Sequence, residues 1–90
     1  MSKKQKIIVE NSFQKPIVLC IEPWASEYGM MPDDKFEIVE EDAGDNFYFH
    51  LVFENARITV FIEGQGSHYP QIYQRGKLLD YGHNRELVED

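Results

Sequence analysis

The sequence predicts an all-β protein, a single-domain antiparallel β-sandwich or small barrel of about seven short strands. Apolar and polar residues alternate through most of the chain, which is the period of half-buried strands. Short segments rich in Gly, Pro, Asn and Asp separate the alternating stretches. The 90 residues suit one domain, and six Phe, five Tyr and one Trp can supply its core.

The first three strands are predicted in the amino-terminal half. Residues 6–10, a short apolar run (Ile7 to Val9) between Lys6 and Glu10, form the first strand. Pro16 begins the second, residues 16–22, because a proline at the first strand position removes no hydrogen bond that the sheet needs. Residues 32–35, Pro-Asp-Asp-Lys, predict a β-turn that leads into the third strand, residues 36–40.

Residues 46–54 predict a long strand, and a two-residue turn at Asn55-Ala56 would pair it in a hairpin with the residues that follow, up to Glu63, although a longer turn is also compatible with Ala56. This register directs six large apolar side chains to one side, where we expect a water-free interior. They are Phe49, Leu51 and Phe53, opposite Ile62, Val60 and Ile58. The other side mixes polar and apolar groups, with Tyr48, His50 and Val52 opposite Glu63, Phe61 and Thr59.

A last hairpin follows the glycines at positions 64 and 66. Residues 67–74 predict a strand, and Arg75-Gly76 predicts the tight turn after it, since glycine accepts a positive φ. The register sets Tyr73 against Leu78, Ile72 against Leu79 and Pro70 against Tyr81. We therefore expect a β domain at residues 6–83, a basic disordered amino terminus at 1–5 and a frayed acidic tail at 84–90.

Charge and hydropathy argue against several classes of partner. The net charge is −7, and an acidic surface repels phosphate backbones, so we predict no nucleic-acid binding. The same charge serves solubility or favours a basic protein partner. No apolar run approaches the length of a membrane span, and residues 7–9 are too short a run for a signal peptide. With Cys20 as the only cysteine, read as a buried hydrophobe, we predict a cytoplasmic protein.

We predict no catalytic residue, no metal site and no cofactor, and hence no enzyme. The histidines His50, His68 and His83 lack the spacings that preform a metal site. The serines lack the strand–turn–helix context of a nucleophile elbow. Acidic pairs such as Asp33-Asp34 lie in turns, which accounts for them without catalysis.

Two candidate surfaces remain. The first is the connection at residues 23–35, which we expect to be long and which carries Trp24, Tyr28 and Met30. These side chains either fold back as a lid over one end of the sandwich or form an exposed anchor for a partner. The second is the mixed face of the central hairpin, with Tyr48, His50, Val52 and Phe61, which is either covered by other structure or open for binding.

The segment Glu22-Pro23-Trp24, followed by Glu27-Tyr28, Pro32 and Phe36, resembles a group of small uncharacterised bacterial all-β proteins. They carry an "EPW…EY…P" segment between their second and third strands. The similarity covers residues 7–40; Ala25 and Asp33 stand where those proteins usually have glycine, and Met31 stands where they have a second proline. The resemblance implies a small β fold and a bacterial origin, and it brings no activity, ligand or site residue.

These observations lead to two hypotheses of function. The first is a non-enzymatic, acidic protein-interaction module that associates with itself or binds or inhibits a protein partner. The second is a small-ligand or metal-binding β domain with a site near Trp24.

Overall fold

The computed structural model describes residues 3–64 and 68–88. They form two four-stranded sheets packed on one hydrophobic core, which confirms the predicted all-β sandwich. There are eight strands and not seven: β1 Lys3–Glu10, β2 Ile17–Glu22, β3 Ser26–Met30, β4 Lys35–Ala43, β5 Tyr48–Glu54, β6 Arg57–Glu63, β7 Gln71–Gln74 and β8 Lys77–Leu78. No helix in these two ranges is long and apolar enough to cross a membrane.

The first sheet has the order β1-β4-β7-β8 and the second β3-β2-β6-β5. β1 begins at Lys3 rather than Lys6, and its pairing with β4 extends from Lys3–Ala43 to Glu10–Lys35. In the second sheet, β2 and β6 run parallel, from Val18 opposite Arg57 to Glu22 opposite Phe61. The expectation of antiparallel pairing throughout is therefore wrong for this pair. Between β2 and β6 the chain leaves the second sheet, forms β4 in the first sheet and then returns. On its return, β6 runs in the same direction as β2.

The long connection expected at residues 23–35 is wrong as well, because it contains the missed strand β3. A turn at residues 23–25, which includes a cis peptide bond between Glu22 and Pro23, joins β2 directly to β3. Ile21 pairs with Ser26 and Ile17 pairs with Met30. Ser26, Tyr28 and Met30 alternate onto the buried side of β3. The period of two was present in this segment, but it is short and interrupted by Gly29.

The predicted register of the first hairpin is confirmed, and that of the second is confirmed at Tyr73–Leu78 and Ile72–Leu79. Across β5 and β6 the pairs run from Tyr48–Glu63 to Glu54–Arg57, and Ala56, in the two-residue turn between them, has a positive φ of 55°. Tyr73 pairs with Leu78, and the N–H of Leu79 donates to the carbonyl oxygen of Ile72 at 2.8 Å. β7 begins at Gln71, and Ser67, the predicted first residue of this strand, lies outside the described residues.

The core lies between the sheets and draws on both. Its largest fully buried side chains are Tyr28, Phe36, Ile17, Leu19, Ile21, Met30, Ile38 and Ile72. Of the six hairpin residues expected in a water-free interior, Ile58, Val60 and Ile62 are buried. Phe49 and Leu51 are only partly buried, and Phe53 is 69% exposed. The prediction is wrong for these three because β5 is the outermost strand of its sheet.

The carboxyl-terminal segment packs on the domain through Val88, so the expected frayed tail is wrong for residues 84–88. A short 3-10 helix, Arg85–Leu87, lies against β3, and Val88 is buried. The N–H of Gly29 donates to the carbonyl oxygen of His83 at 2.8 Å. A Cβ at Gly29 would lie 2.2 Å from the carbonyl oxygen of Asn84, so the close approach requires glycine.

Candidate interaction surfaces

Four aromatic side chains meet at one end of the sandwich, and we call Trp24, Tyr28, Tyr69 and Tyr81 the aromatic surface. Trp24 comes from the β2–β3 turn, Tyr28 from β3, Tyr69 from the segment before β7 and Tyr81 from the segment after β8. The ring of Tyr69 lies 5.2 Å from that of Trp24, edge to face, and 5.4 Å from that of Tyr81. Tyr81 also lies 6.4 Å from Tyr28. These separations are typical of favourable ring contacts.

Hydrogen bonds between side-chain hydroxyl groups hold the tyrosines of this surface in place. The Ser26 hydroxyl donates to Tyr81 Oη at 2.6 Å, and the hydroxyls of Tyr28 and Tyr69 bond to each other. Burial raises the pKa of both Tyr28 and Tyr69. Both phenols therefore stay protonated in the neutral range and can hold this hydrogen bond. Rings held by contacts and hydrogen bonds lose little freedom when a ligand binds.

Trp24, Tyr28 and Met30, which form the first predicted surface, differ in how far they are exposed to solvent. Tyr28 is 2% exposed and Met30 is fully buried, so neither can contact a partner, and their assignment as interaction residues is wrong. Both alternate onto the inner side of β3, which the sequence analysis treated as a loop. Trp24 is 37% exposed, an intermediate between the buried lid and the free anchor that the sequence left open. Its indole contacts the ring of Tyr69 edge to face, and part of the side chain is open to solvent.

Sequence reasoning missed Tyr69 and Tyr81 as site residues. Tyr81 is 70% exposed, and Leu78 on β8 is exposed beside it. A cavity of about 240 Å³ lies between them, lined by Tyr28, Tyr69, Leu78, Leu79 and Tyr81. One signal could have found them, because the predicted pairing of Pro70 with Tyr81 brings Tyr69 and Tyr81 close together. It could not reveal that the Trp24 turn lies at the same end of the other sheet.

The mixed face of the central hairpin comes together as predicted. Tyr48, His50, Val52 and Phe61 lie on the side of β5 and β6 that faces away from the core, as their register requires. The imidazole of His50 lies 5.3 Å from the ring of Phe61, and its Nδ1 lies 3.6 Å from Glu63 Oε2. Tyr48 and His50 are exposed, and Val52 and Phe61 are partly buried. The face is therefore open at its outer strand.

A charge network fixes the carboxyl-terminal segment to the second sheet. Glu27 accepts hydrogen bonds from Arg57 Nη2 and Arg85 Nε, both at 2.7 Å, and Arg85 Nη1 also donates to the carbonyl oxygen of Val88 at 2.9 Å. The two guanidinium groups lower the pKa of Glu27. Cys20 lies opposite Glu27 on β2, and burial raises the pKa of its thiol. A buried, protonated thiol is unreactive, which agrees with its interpretation as a small hydrophobe.

A second acidic side chain, Glu40 on β4, is 3% exposed. Its Oε2 accepts a hydrogen bond from the N–H of Asp42 at 3.3 Å and lies 3.8 Å from Nδ1 of His68. Oε1 has no hydrogen-bond partner among the residues that the structure describes. Within the same ranges, no group of three or more His, Cys, Asp or Glu side chains is placed to hold a metal ion.

Comparison with known proteins yields no match: no family model, no curated protein and no solved structure matches the chain. The resemblance of residues 7–40 to small bacterial proteins, and the bacterial origin that it implies, stay predictions. The two surfaces are therefore the features of the molecule that point to a function.

Proposed function

We propose that the chain is a non-enzymatic protein-interaction module that binds another protein through the aromatic surface. The observation that supports this most is the combination of fixed and exposed aromatic rings. Buried Tyr28 and Ser26 hold Tyr69 and Tyr81 in place, and Trp24 and Tyr81 present their rings to solvent. Tyr and Trp are over-represented among the residues that dominate binding energy, and pre-organised rings lower the entropy lost on association.

The chemistry around the aromatic surface favours a partner with an apolar anchor flanked by basic residues. Leu78 and the cavity of about 240 Å³ provide room for an apolar side chain between Tyr69 and Tyr81. Asp80, which is exposed, adjoins Tyr81, and Glu22 lies at the turn that carries Trp24. The protein as a whole carries a net charge of −7, which attracts a basic partner over longer distances. In this proposal the module acts in the cytoplasm, and inhibition of an enzyme is one use of such binding.

Affinity capture from the native cell extract, followed by calorimetry with the captured protein, tests the proposal. Trp24→Ala and Tyr81→Ala should each weaken binding by 10-fold or more, since truncation of a binding hot spot costs about 2 kcal/mol or more. Tyr48→Ala, at an exposed tyrosine on the outermost strand β5, away from the aromatic surface, is the control and should bind as the native protein does. Thermal unfolding of all three variants excludes loss of the fold. Binding that survives both Trp24→Ala and Tyr81→Ala would refute the aromatic surface as the site.

The second hypothesis, a small-ligand domain, would use the same cavity. Its volume of about 240 Å³ and its lining of phenol and leucine side chains suit a ligand of a few ring atoms. A thermal-shift screen distinguishes the two, because a small ligand in this cavity should raise the melting temperature of the native protein and not of Leu79→Trp, which fills the space. A metal-binding version of this hypothesis has no supporting cluster within residues 3–64 and 68–88.

A further inference from the structure

The two sheets have four outer strands, and three of these are protected against pairing with another chain. β1 carries exposed lysines at positions 3, 4 and 6 and a register shift between Lys3 and Gln5. β3 is covered on its outer side, where Gly29 bonds to His83. β8 has only two residues. Lysines, irregular pairing, covering segments and short length are the usual means by which proteins prevent association at sheet edges.

The fourth outer strand, β5, has none of these protections. It is seven residues long, reads YFHLVFE and contains no lysine and no proline. Its pairing with β6 is regular over the whole strand, and no strand of the described residues pairs with its second side. Phe53 and Tyr48 are both more than half exposed, near opposite ends of the strand. A long, regular and apolar edge is a template for another strand.

The backbone geometry shows which residues of β5 are available. The N–H of Val18 donates to the carbonyl oxygen of Ala56 across the parallel pair, so the polar backbone groups of Arg57 point away from β2 and toward β5. Glu54 and Arg57 are thus a hydrogen-bonded pair that closes the two-residue turn. Hydrogen-bonded pairs alternate along an antiparallel ladder, so Phe49, Leu51 and Phe53 direct their N–H and C=O groups to the open side.

We infer that β5 pairs antiparallel with β5 of a second copy of this chain, around a two-fold axis at Leu51. Only residues with outward backbone groups can form hydrogen-bonded pairs in the new ladder. With Leu51 opposite Leu51 of the second copy, Phe49 lies opposite Phe53 and Phe53 opposite Phe49. The outward N–H and C=O groups of all three residues then form hydrogen bonds with the second copy. The β3-β2-β6-β5 sheets of the two copies join into one continuous eight-stranded sheet. Such an interface is self-complementary, as a two-fold dimer requires.

The side chains fit this register on both faces. On the core side, the exposed ring of Phe53 would pack against Phe49 of the second copy, which extends the core across the axis and covers an apolar ring now in water. On the outer side, Tyr48 would lie opposite Glu54, and His50 opposite Val52. The acidic Glu54 and the basic His50 therefore each face an uncharged residue, and no pair of like charges is opposed.

This inference does not rest on the proposed partner site. The aromatic surface is attached to β3, and β5 is the opposite edge strand of the same sheet. A β5 dimer would therefore leave Trp24 and Tyr81 free and would present two aromatic surfaces in one particle. Failure of one proposal leaves the other intact, because Trp24→Ala and Tyr81→Ala test only the partner site, and Phe53→Lys and Leu51→Cys test only the dimer.

Sedimentation velocity over a concentration series tests dimer formation. The native protein should sediment as a dimer at high concentration, and Phe53→Lys should shift the dissociation constant upward by at least 10-fold because it places a charge at the new contact. Ile8→Lys is the matched control, since Ile8 is a similarly exposed apolar residue on the lysine-protected edge β1. Added salt should strengthen the dimer, because each copy carries a net charge of −7. A monomer at all concentrations, or a dimer that Phe53→Lys leaves unchanged, would overturn the inference.

Cysteine cross-linking tests the register. Leu51→Cys should form an intermolecular disulfide under mild oxidation, because paired Cα atoms lie about 5.5 Å apart, within the range of a disulfide. Phe53→Cys should not, since four residues of stagger separate its copies by about 13 Å. The native protein should stay uncross-linked because Cys20 is buried. Efficient cross-linking of Phe53→Cys, or a dimer in which Leu51→Cys does not cross-link, would exclude the two-fold axis at Leu51.

Discussion

Phe53 and Ile58 face each other across β5 and β6, yet Phe53 is 69% exposed and Ile58 is 7% exposed. Their side chains lie on the same side of the hairpin, so the difference does not come from register. It comes from position in the sheet, because β6 is an inner strand and β5 is the outermost one. The opposite sheet covers the inner strand and leaves the outer end of β5 in water.

Because their burial differs, replacing Ile58 or Phe53 by alanine should lower the free energy of unfolding by unequal amounts. Ile58→Ala should lower the free energy of unfolding by about 2–5 kcal/mol, since it leaves a cavity in a packed core. Phe53→Ala should change it by no more than about 0.5 kcal/mol, as at other surface sites. Urea unfolding at low protein concentration, where association is absent, measures both. Equal losses would mean that Phe53 is packed in the monomer.

The Glu27 network predicts a defined pH dependence. Because hydrogen bonds from Arg57 and Arg85 lower the pKa of Glu27 below its ordinary value of 4.5, its stabilising contribution is present above that value. It is lost as the pH falls through the lower pKa of the folded state. Glu27→Gln should cost about 1–3 kcal/mol at pH 7, and the difference from the native protein should shrink below pH 4.5.

The control for this experiment is Glu37→Gln. Glu37 pairs with Lys6 at 3.8 Å, and both side chains are well exposed. An exposed pair of this kind contributes little, so we expect a change of under about 1 kcal/mol at pH 7. Unfolding curves at several pH values in which Glu27→Gln and Glu37→Gln coincide would show that the network does not stabilise the fold.

Gly29 predicts a coupling between β3 and the carboxyl-terminal segment. The added Cβ of Gly29→Ala would meet Val88 Cγ2 at 2.6 Å as well as the Asn84 backbone, so we expect a loss of about 1–3 kcal/mol from overpacking. The same substitution in a chain truncated after Gly82 should cost much less, because both contacts are gone. Urea unfolding of the four proteins gives the coupling energy. A cost that is equal in both backgrounds would contradict the contact.

Tyr69→Phe tests the hydroxyl pair beneath the aromatic surface. It leaves the buried Tyr28 hydroxyl without the partner it has in the native protein, which should cost about 1–3 kcal/mol of stability. Tyr48→Phe removes an exposed hydroxyl and should be neutral within about 0.5 kcal/mol. Thermal and urea unfolding compare the two. An unchanged stability for Tyr69→Phe would indicate that water replaces the lost partner.

The alternation of apolar and polar residues was sufficient to predict how the strands of the central hairpin pair. The alternation in residues 48–63 and the two-residue turn determined every pair of β5 with β6, because a shift of one residue would move all of the apolar side chains to the wrong face. Pattern was not sufficient for β3, where Tyr28 and Met30 were assigned to a loop surface and are buried in the core. Five residues with a glycine among them carry too little periodicity to predict a strand.

Periods and turns within short stretches of the sequence were enough to predict the fold class, the pairs of the β5–β6 and β7–β8 hairpins, and the mixed face of the central hairpin. Packing between distant segments sets the remaining features: β2 runs parallel to β6, residues 83–88 cover β3, Tyr69 and Tyr81 join Trp24, and β5 is left with an open edge. Exposure depends on which of these segments cover each other, and the local alternation of apolar and polar residues tells which face of a strand is apolar but not which segment covers it.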